Sequence, residues 1–458
     1  MKEKARPAAL RWVKESFFVG WFFRPTSDSS VFGESMIFHQ LERIHPVFLN
    51  RISKKTAILW GKWILAVLLF SCIFIPRFSL GYLVLSYSFD IRLEDFFLLG
   101  AILFAFLIGE KNGRISTVPS VERAFLWFLL AAQISILSGL YFRTVDKPFL
   151  SLLYLLKWIE YFFVFWATAQ IATSRRESFF FLKIFFLLGI WVAAYGYMEY
   201  FSPAAKAVYP NYYRLFERFP FTGDANHVGG FLVLWMGFFA GLFLNRKNDF
   251  TRGLLLAGLC FVFFPLIWTY SRKSYLALGG AFFTLFLVQK NRKETLAFIC
   301  LFVMLGLLLP TRLTERVADF YYAFGSVDPF HSSLAGNWVM WQESLWNFEK
   351  FFLWGSGLGS RHRLFYESQY VLILAETGLF GFAAFLLLCL APAKKIIGYL
   401  NQALGGEDRA IALSWLYGFS GLMIHNLSCV SLTVTKVAVP FWFLTAVVLA
   451  HLGHAKER

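Results

Sequence analysis

Residues 367–381 read ESQYVLILAETGLFG, and they are the most informative stretch of this chain. Glu367 opens a long apolar run directly after a polar segment that is rich in Arg, His and Trp. Gly378 and Gly381 then interrupt the side-chain surface where the predicted helix enters an apolar environment. A titratable group at the mouth of an apolar span, backed by cations, is suited to chemistry on a substrate that is itself held in a membrane.

The composition of the chain is that of a membrane protein. Of the 458 residues, 58% are hydrophobic, 20% are aromatic and 16% are charged, whereas a soluble domain has about 25% charged residues. Apolar runs recur along the whole chain, so we predict an all-α, polytopic integral membrane protein. We attribute the net charge of +16 to Lys and Arg in cytoplasmic loops beside anionic membrane lipids, and not to nucleic-acid binding. The five cysteines lie far apart without a CxxC, so neither a disulfide framework nor a zinc site is predicted.

The apolar runs predict about twelve transmembrane helices of the length that a bilayer requires. They lie near 58–76, 94–110, 123–141, 149–171, 179–201, 226–244, 253–270, 274–289, 295–310, 368–392, 409–426 and 436–452. Basic pairs such as Lys394 and Lys395 fall in alternate connections, which lie on the same side of the membrane as both termini. That side holds about 27 of the 44 Lys and Arg residues. The positive-inside rule therefore predicts that both termini are cytoplasmic.

This topology divides the chain into four segments. Residues 1–57 form a cytoplasmic or interfacial N-terminal segment, and 58–310 hold transmembrane helices one to nine. Residues 311–367 form one large extracytoplasmic loop, which is periplasmic in a bacterium with two membranes. Residues 368–458 hold the last three helices and a short cytoplasmic tail.

The large loop contains several candidate binding residues. Trp341 belongs to a helical pattern of apolar residues, which indicates either an amphipathic helix on the membrane surface or an aromatic shelf for sugar rings. In FLWGSGLGSRHR, residues 352–363, the glycines predict a tight turn, because no strand precedes them as a nucleotide-binding loop would require. That turn positions Arg361, His362 and Arg363, where two guanidinium groups can hold a diphosphate or anchor the loop to lipid headgroups.

Two further segments carry polar residues at the same side of the membrane. In TYSRKSYLAL, residues 269–278, Arg272 and Lys273 stand between two predicted spans and form either a compact anion site or snorkelling cations. His425 lies near the outer end of its span, as a site residue or as a structural one. Lys157 and Glu160 are three residues apart on one helical face and can pair.

These segments together resemble the O-antigen ligase and Wzy-type O-antigen polymerase superfamily. WQESLWNFEKFFLWGSGLG, residues 341–359, followed by ESQYVLILAETGLFG, looks like the family's loop-to-span core. The Ser-Arg pair at Ser271 and Arg272 is similar to a family motif, and TGDANHVGGF, residues 222–231, to a family span opening. The resemblance covers roughly residues 190–450.

The resemblance implies a GT-C-like enzyme that uses neither a metal ion nor another cofactor. It implies transfer of a glycan from an undecaprenyl-diphosphate carrier at the periplasmic face of the bacterial inner membrane. The resemblance and the residue patterns together give Glu367 or His362 as the catalytic base of the candidate site, with His331 as a further alternative. The site also contains Arg272, Lys273, Arg361 and Arg363 as diphosphate contacts, and Trp341, Asn226, His227 and His425 as weaker glycan contacts.

The chain departs from the ligase pattern at one position that matters. Ligases carry His, then Asn, Ser or Gln, then nine residues and Gly-x-x-Gly, and here Glu367 stands in the place of that His. This departure favours a polysaccharide polymerase over a ligase with a lipid A-core acceptor or a protein O-oligosaccharyltransferase. A second departure is Asn337, where an Arg is expected. The expected partners are therefore the lipid-linked glycan donor and a glycan or lipid A-core acceptor, and a chain-length regulator stays open.

A transporter or lipid flippase is the alternative from a different class. Transporters usually show paired internal repeats with broken helices in corresponding halves. This sequence instead has one asymmetric outer loop with clustered arginines, which favours an enzyme.

Overall fold

The structure is a computed structural model of the chain, and it is all-α apart from one very short strand pair. It describes residues 52–74, 78–79, 90–91, 93–111, 118–202, 214–216, 225–246, 248–308, 341–342, 344–346, 348–360, 367–402 and 404–456. The long helices in this part of the chain are α1 (Lys54–Phe74), α2 (Leu93–Lys111), α3 (Pro119–Tyr141), α4 (Pro148–Ile171), α5 (Arg175–Phe201), α6 (Ala225–Asn245), α7 (Asp249–Trp268), α8 (Arg272–Val288), α9 (Arg292–Leu307), α10 (Gln369–Leu400), α11 (Gly406–His425) and α12 (Thr435–Lys456). Strands β1 (Phe78–Ser79) and β2 (Asp90–Ile91) pair antiparallel, and a 3-10 turn covers Ser431–Thr433.

The protein is an integral membrane protein. Within the described residues, eight helices are long and apolar enough to cross a bilayer, namely α1, α3, α4, α5, α6, α7, α10 and α12. Every predicted span overlaps one of the long helices, but α8 and α9 have only 17 and 16 residues. The total of twelve spans and the side of the membrane on which the termini lie therefore stay predictions. Most of the predicted N-terminal segment lies outside the described residues, as do residues 311–340, 343, 347 and 361–366 of the large loop.

Short polar residues begin several helices and supply the hydrogen-bond acceptor that the first turn lacks. Asn248 caps α7 by accepting from the Thr251 backbone N–H at 3.0 Å. Ser368 caps α10 in the same manner, accepting from Val371 at 3.5 Å. Each cap satisfies one backbone N–H of the first turn that has no partner within the helix.

Helices α6 and α12 form the centre of the bundle, and 83% of the residues in the most apolar stretch of each helix are buried. The backbones of α6 and α11 approach each other closely because both helices carry glycine where they cross. A Cβ on Gly418 would lie 2.7 Å from the Leu234 carbonyl oxygen, and one on Gly241 would lie 2.7 Å from the Ser414 Cα. Small residues allow this close approach, which replaces the hydrophobic effect as the source of helix association in a bilayer.

Several charged residues of the described helices form ion pairs. Lys157 of α4 lies 2.5 Å from Glu160 Oε2 and 3.5 Å from Asp95 Oδ1 of α2, so the pairing predicted for Lys157 and Glu160 is confirmed. Asp408, at the start of α11, accepts from Arg175 and lies 3.0 Å from His451 Nε2. Pairing lowers the cost of placing charge among apolar helices, and it ties α5, α11 and α12 together at one end.

Candidate functional site

The end of the bundle opposite Asp408 gathers polar side chains from five helices. Helices α6, α8 and α10 begin at this end, and α7 and α11 end there. We call it the polar end and define it by Asn226, Ser271, Lys273, Glu367 and His425. These residues are distant in the sequence, and a chain of hydrogen bonds and ion pairs connects the elements that carry them.

A three-residue turn connects α7 to α8 and sets the position of the cations that follow. Ser271 caps α8 by accepting from the Ser274 backbone N–H at 3.3 Å, and its own N–H donates to Thr269 Oγ1 at 3.2 Å. Tyr270, between them, has a left-handed φ of 48°, which a residue with a Cβ adopts at some cost in free energy. The turn therefore has a defined backbone conformation that these hydrogen bonds hold.

Arg272 and Lys273 occupy the first turn of α8 and are both partly buried. A helix N-terminus carries a partial positive charge, so cations in its first turn are unfavourable unless an anion offsets them. The same N-terminus offers backbone N–H groups to an anion. Arg272, Lys273 and the start of α8 therefore combine three sources of attraction for a negatively charged ligand.

One anion that offsets this charge is Glu367. The Lys273 ammonium forms an ion pair with Glu367 Oε2, and the two side chains are 18% and 31% exposed. Both groups are thus partly open to the surroundings. An adjacent ammonium stabilises a carboxylate in its ionised form, which is the form that accepts a proton.

The backbone beside Glu367 is held by a buried network. The Gln369 N–H donates to the Asn426 carbonyl oxygen at 3.0 Å, and Gln369 Oε1 accepts from the Leu432 N–H at 3.0 Å. Ser368 Oγ donates to the same Asn426 oxygen at 3.4 Å. The start of α10 is therefore fastened to the end of α11, which limits the movement of Glu367.

Two buried amide groups remain available in this network. Asn426 Nδ2 and Gln369 Nε2 are buried and make no hydrogen bond to any of the residues that the structure describes. Both side chains are fully buried, and both belong to residues that lie next to the ends of α11 and α10. Buried amide donors of this kind call for a partner from a ligand, from water or from the rest of the chain.

His425 lies at the centre of a second hydrogen-bond chain. Its Nδ1 lies 2.7 Å from Ser431 Oγ, and its Nε2 lies 3.3 Å from Ser274 Oγ. Ser274 Oγ donates in turn to Ser271 Oγ at 3.0 Å, so the chain reaches the cap of α8. The imidazole is fully buried, and it connects α11, α8 and the 3-10 turn.

Two consecutive glycines of α6 make room for this chain. A Cβ on Gly229 would lie 2.2 Å from Ser274 Oγ, and one on Gly230 would lie 2.9 Å from His425 Cε1. The NHVGGF segment is therefore required for close packing around the site as well as for the polar residues that precede the glycines.

Asn226 and His227 lie in the first turn of α6 and face two different neighbours. Asn226 Oδ1 accepts from Arg214 Nη2 at 2.9 Å, and Arg214 Nε donates to the Thr269 carbonyl oxygen at 2.9 Å. His227 neighbours the Cys429 thiol and influences its pKa. Burial raises the pKa of Cys429, but His227, Lys273 and a hydrogen bond with Ser431 lower it by more.

The glycine turn predicted near residue 355 is present. Gly355, Gly357 and Gly359 have φ values of 77°, 103° and 88°, which residues with a Cβ rarely adopt. Its backbone is bonded to α10, because the Ser356 N–H donates to the Ala375 carbonyl oxygen and the Gly357 N–H to that of Glu376, each at 3.0 Å. The described part of the loop is therefore fixed to α10 at the glycine turn.

Helix α10 is interrupted where the glycine turn meets it. Gly378 has φ 66° and ψ −169°, and a Cβ there would lie 2.4 Å from the Leu353 carbonyl oxygen. Glu376, just before this break, is fully buried, and its Oε1 accepts from the Gly359 N–H at 3.0 Å. The sequence predicted that Gly378 and Gly381 interrupt the side-chain surface of this helix. The structure adds that the backbone itself breaks at Gly378, where the loop joins the helix, whereas Gly381 remains helical.

The structure places the predicted site residues in three groups. Asn226, His227, Arg272, Lys273, Glu367 and His425 all lie at the polar end. Trp341 is partly buried in a short helical segment, with its Nε1 buried. Arg361, His362 and Arg363 lie outside the described residues, as do His331 and Asn337. The roles of all these residues stay predictions.

Several polar residues at this end were not predicted from the sequence. Arg214 is partly buried and bridges α6 to the turn after α7. Glu376 and Gln369 lie inside the apolar run, where a single polar residue gives no signal of its partners. Ser431 contacts His425 only because the chain reverses after α11. Within the described residues, no three His, Cys, Asp or Glu side chains gather closely enough to hold a metal ion.

A comparison with known families matches the part of the chain that carries much of this site. Residues 256–386 match the family model Wzy_C, described as O-antigen ligase, and this range runs from within α7 to the middle of α10. It includes Arg272, Lys273, Glu367 and the Gly378 break. A search of curated proteins found no match to the chain. The match at residues 256–386 supports an O-antigen ligase-like family for this integral membrane protein.

Proposed function

We propose that this protein is a membrane glycosyltransferase that takes a glycan from an undecaprenyl-diphosphate carrier at the periplasmic face of the bacterial inner membrane. In this proposal both termini are cytoplasmic, and the polar end with residues 311–367 faces the periplasm. The observation that carries the proposal is the ion pair between Lys273 and Glu367 beside Arg272, at the N-terminus of α8. A base and an anion site lie next to each other there.

The ion pair suggests how donor binding prepares the base. A diphosphate that enters the polar end offers Lys273 and Arg272 phosphate oxygens, with which charged donors form strong hydrogen bonds. Lys273 then exchanges its partner from Glu367 to the diphosphate. The exchange leaves the Glu367 carboxylate ionised and open to the hydroxyl of an acceptor.

The transfer itself is an inverting displacement. The acceptor oxygen forms a bond to the anomeric carbon while the bond from that carbon to the diphosphate oxygen breaks. Glu367 takes the acceptor proton, and the carrier diphosphate leaves with the bonding electron pair. Arg272 and Lys273, with Arg361 and Arg363 from the loop, stabilise the negative charge that develops on the leaving group. His362 is the alternative base, and Trp341, Asn226, His227 and His425 are the proposed glycan contacts.

Among acceptors, we favour a growing lipid-linked glycan, which makes the enzyme a polysaccharide polymerase. The reason is Glu367, because the ligase pattern has a His at that position. Transfer to lipid A-core or to a protein hydroxyl uses the same donor chemistry and differs in the acceptor alone. The experiment must therefore identify the acceptor.

The test uses purified full-length protein, a pool of undecaprenyl-diphosphate oligosaccharides and EDTA, with and without lipid A-core. A ladder of longer lipid-linked products in the absence of lipid A-core is the expected result. A single shift of the lipid A-core band would identify a ligase instead. Failure of both reactions, with correctly folded protein, would contradict the proposal and favour a transporter or a different acceptor.

A further inference from the structure

A cavity of about 590 Å³ lies between α3 and α10 at the end of the bundle opposite the polar end. Its walls are the first turns of α3 and the last turns of α10, and we call it the α3–α10 groove. The residues that define it are Arg123, Trp127, Leu387, Leu390, Lys394 and Lys395. None of these residues takes part in the site described above.

The mouth of the groove is cationic. Arg123 on α3 and Lys394 and Lys395 on α10 all line it, and all three side chains are exposed. No acidic residue is among the described residues that line the cavity, and the sequence neighbour Glu122 is not part of the lining. An anion at this position is therefore attracted by all three cations without a compensating carboxylate in the wall.

Below the cations, the wall of the groove is apolar. Trp127 lies one turn further into α3 than Arg123, and it is 60% exposed. Leu387 and Leu390 lie one to two turns further into α10 than Lys394, and they are 57% and 54% exposed. On a membrane-spanning helix, such side chains face hydrocarbon. A cationic rim above an apolar wall matches the order of phosphate and acyl chains in a phospholipid.

We propose that the α3–α10 groove binds one acidic phospholipid of the bilayer, with its phosphate among Arg123, Lys394 and Lys395 and its acyl chains along Trp127, Leu387 and Leu390. Basic pockets between transmembrane helices on the cytoplasmic side are suited to anionic headgroups. The lipid connects the same two helices that hold the glycine turn at their other ends, because Ser138 of α3 donates to the Gly355 carbonyl oxygen at 3.3 Å. Lipid binding is therefore expected to stabilise the full-length protein.

Native mass spectrometry of the full-length protein in detergent tests this proposal, with phosphatidylglycerol and phosphatidylcholine as probes. The expected result is preferential retention of phosphatidylglycerol. The triple variant Arg123→Gln, Lys394→Gln, Lys395→Gln should weaken that binding by about tenfold or more. A matched variant, Lys290→Gln, Arg292→Gln, Lys293→Gln, removes three charges from the α8–α9 connection and the first turn of α9, at the same end, and should leave binding within about twofold.

Several outcomes would overturn the proposal. Equal retention of both lipids would show that the headgroup charge is not recognised. Equal losses in the two triple variants would show diffuse attraction and not a site. Displacement of the lipid by millimolar inorganic phosphate would assign the cations to free phosphate. A second variant, Trp127→Ala with all cations retained, should weaken binding of long-chain phosphatidylglycerol more than that of a dioctanoyl form, and equal effects on both would contradict the acyl contact.

Discussion

Lys273 and Glu367 form an ion pair that joins the first turn of α8 to the residue before the cap of α10. The two residues are separated by the rest of α8, by α9 and by the large loop. Lys273 lies in the first turn of α8, and Glu367 lies just before the start of α10. Their contact unites the predicted anion site and the predicted base in one place.

Replacement of Glu367 by Gln keeps the size of the side chain but removes the proton acceptor. We expect Glu367→Gln to lower kcat for glycan transfer by about 10²–10⁴-fold, the range typical of a lost general base. The measurement is the initial rate with a defined lipid-diphosphate donor at saturating concentration. Glu349→Gln, at an exposed carboxylate of the loop, is the control and should keep its rate. Wild-type activity in Glu367→Gln would remove this residue from the catalytic role.

Replacement of Arg272 tests the anion site. Arg272→Ala should raise the donor KM by about ten- to a hundredfold, because a charge-assisted contact to the diphosphate is lost. Donor titrations with the acceptor fixed give this value. Arg143→Gln serves as the comparison, since Arg143 is an exposed cation just beyond α3, at the same end. If both variants show the same donor KM as the wild type, Arg272 is an anchor to lipid headgroups.

Replacement of His425 distinguishes a positioning role of the imidazole from a catalytic one. His425→Ala leaves the hydroxyls of Ser274 and Ser431 without this buried partner, which costs about 1–3 kcal/mol per unpaired group. We expect a lower Tm of the purified protein and a lower kcat, with the shape of the pH–rate profile unchanged. Ser274→Ala, which breaks only one of the two contacts, should have a smaller effect of the same kind. A pH–rate profile that loses a limb in His425→Ala would instead identify the imidazole as an acid or base.

The break in α10 is testable with two alanine substitutions in one helix. Gly378→Ala introduces a Cβ at a φ of 66° and 2.4 Å from the Leu353 carbonyl oxygen, so we expect a loss of at least about 1–3 kcal/mol in stability. Gly398→Ala meets nothing within 4 Å and should leave the stability unchanged or slightly higher. Thermal unfolding in detergent and transfer activity are the two readouts. Equal Tm values for the two variants would contradict the role of Gly378 as a joint.

Much of the architecture could be predicted because a bilayer imposes strong rules. Every backbone polar group in the hydrocarbon must be bonded internally, so long apolar runs become helices. The predicted spans therefore overlap the helices from α1 to α12. The pairing of Lys157 with Glu160 was also predictable, since residues three apart on a helix are neighbours whatever the rest of the fold does.

The contacts of the site were predictable only in part. Arg272 and Glu367 stood out because each lies at the end of an apolar span, in a segment that resembles a family motif. Their partners could not be identified in the same way. Ser431 and Gln369 are ordinary polar residues in sequence, and their importance comes from helices that end at the same place.

The sequence by itself determined the membrane class, the helices, the glycine turn near residue 355 and the polar segments that carry candidate chemistry. It could do so because helix formation in lipid and turn formation by glycine are local consequences of the residues present. Only the tertiary structure decided that Lys273 meets Glu367, that His425 is buried between two serines, and that Glu376 is held by the glycine turn. Those contacts depend on which helices pack together, and packing is set by close approaches such as Gly418 against Leu234, which lie far apart in the chain.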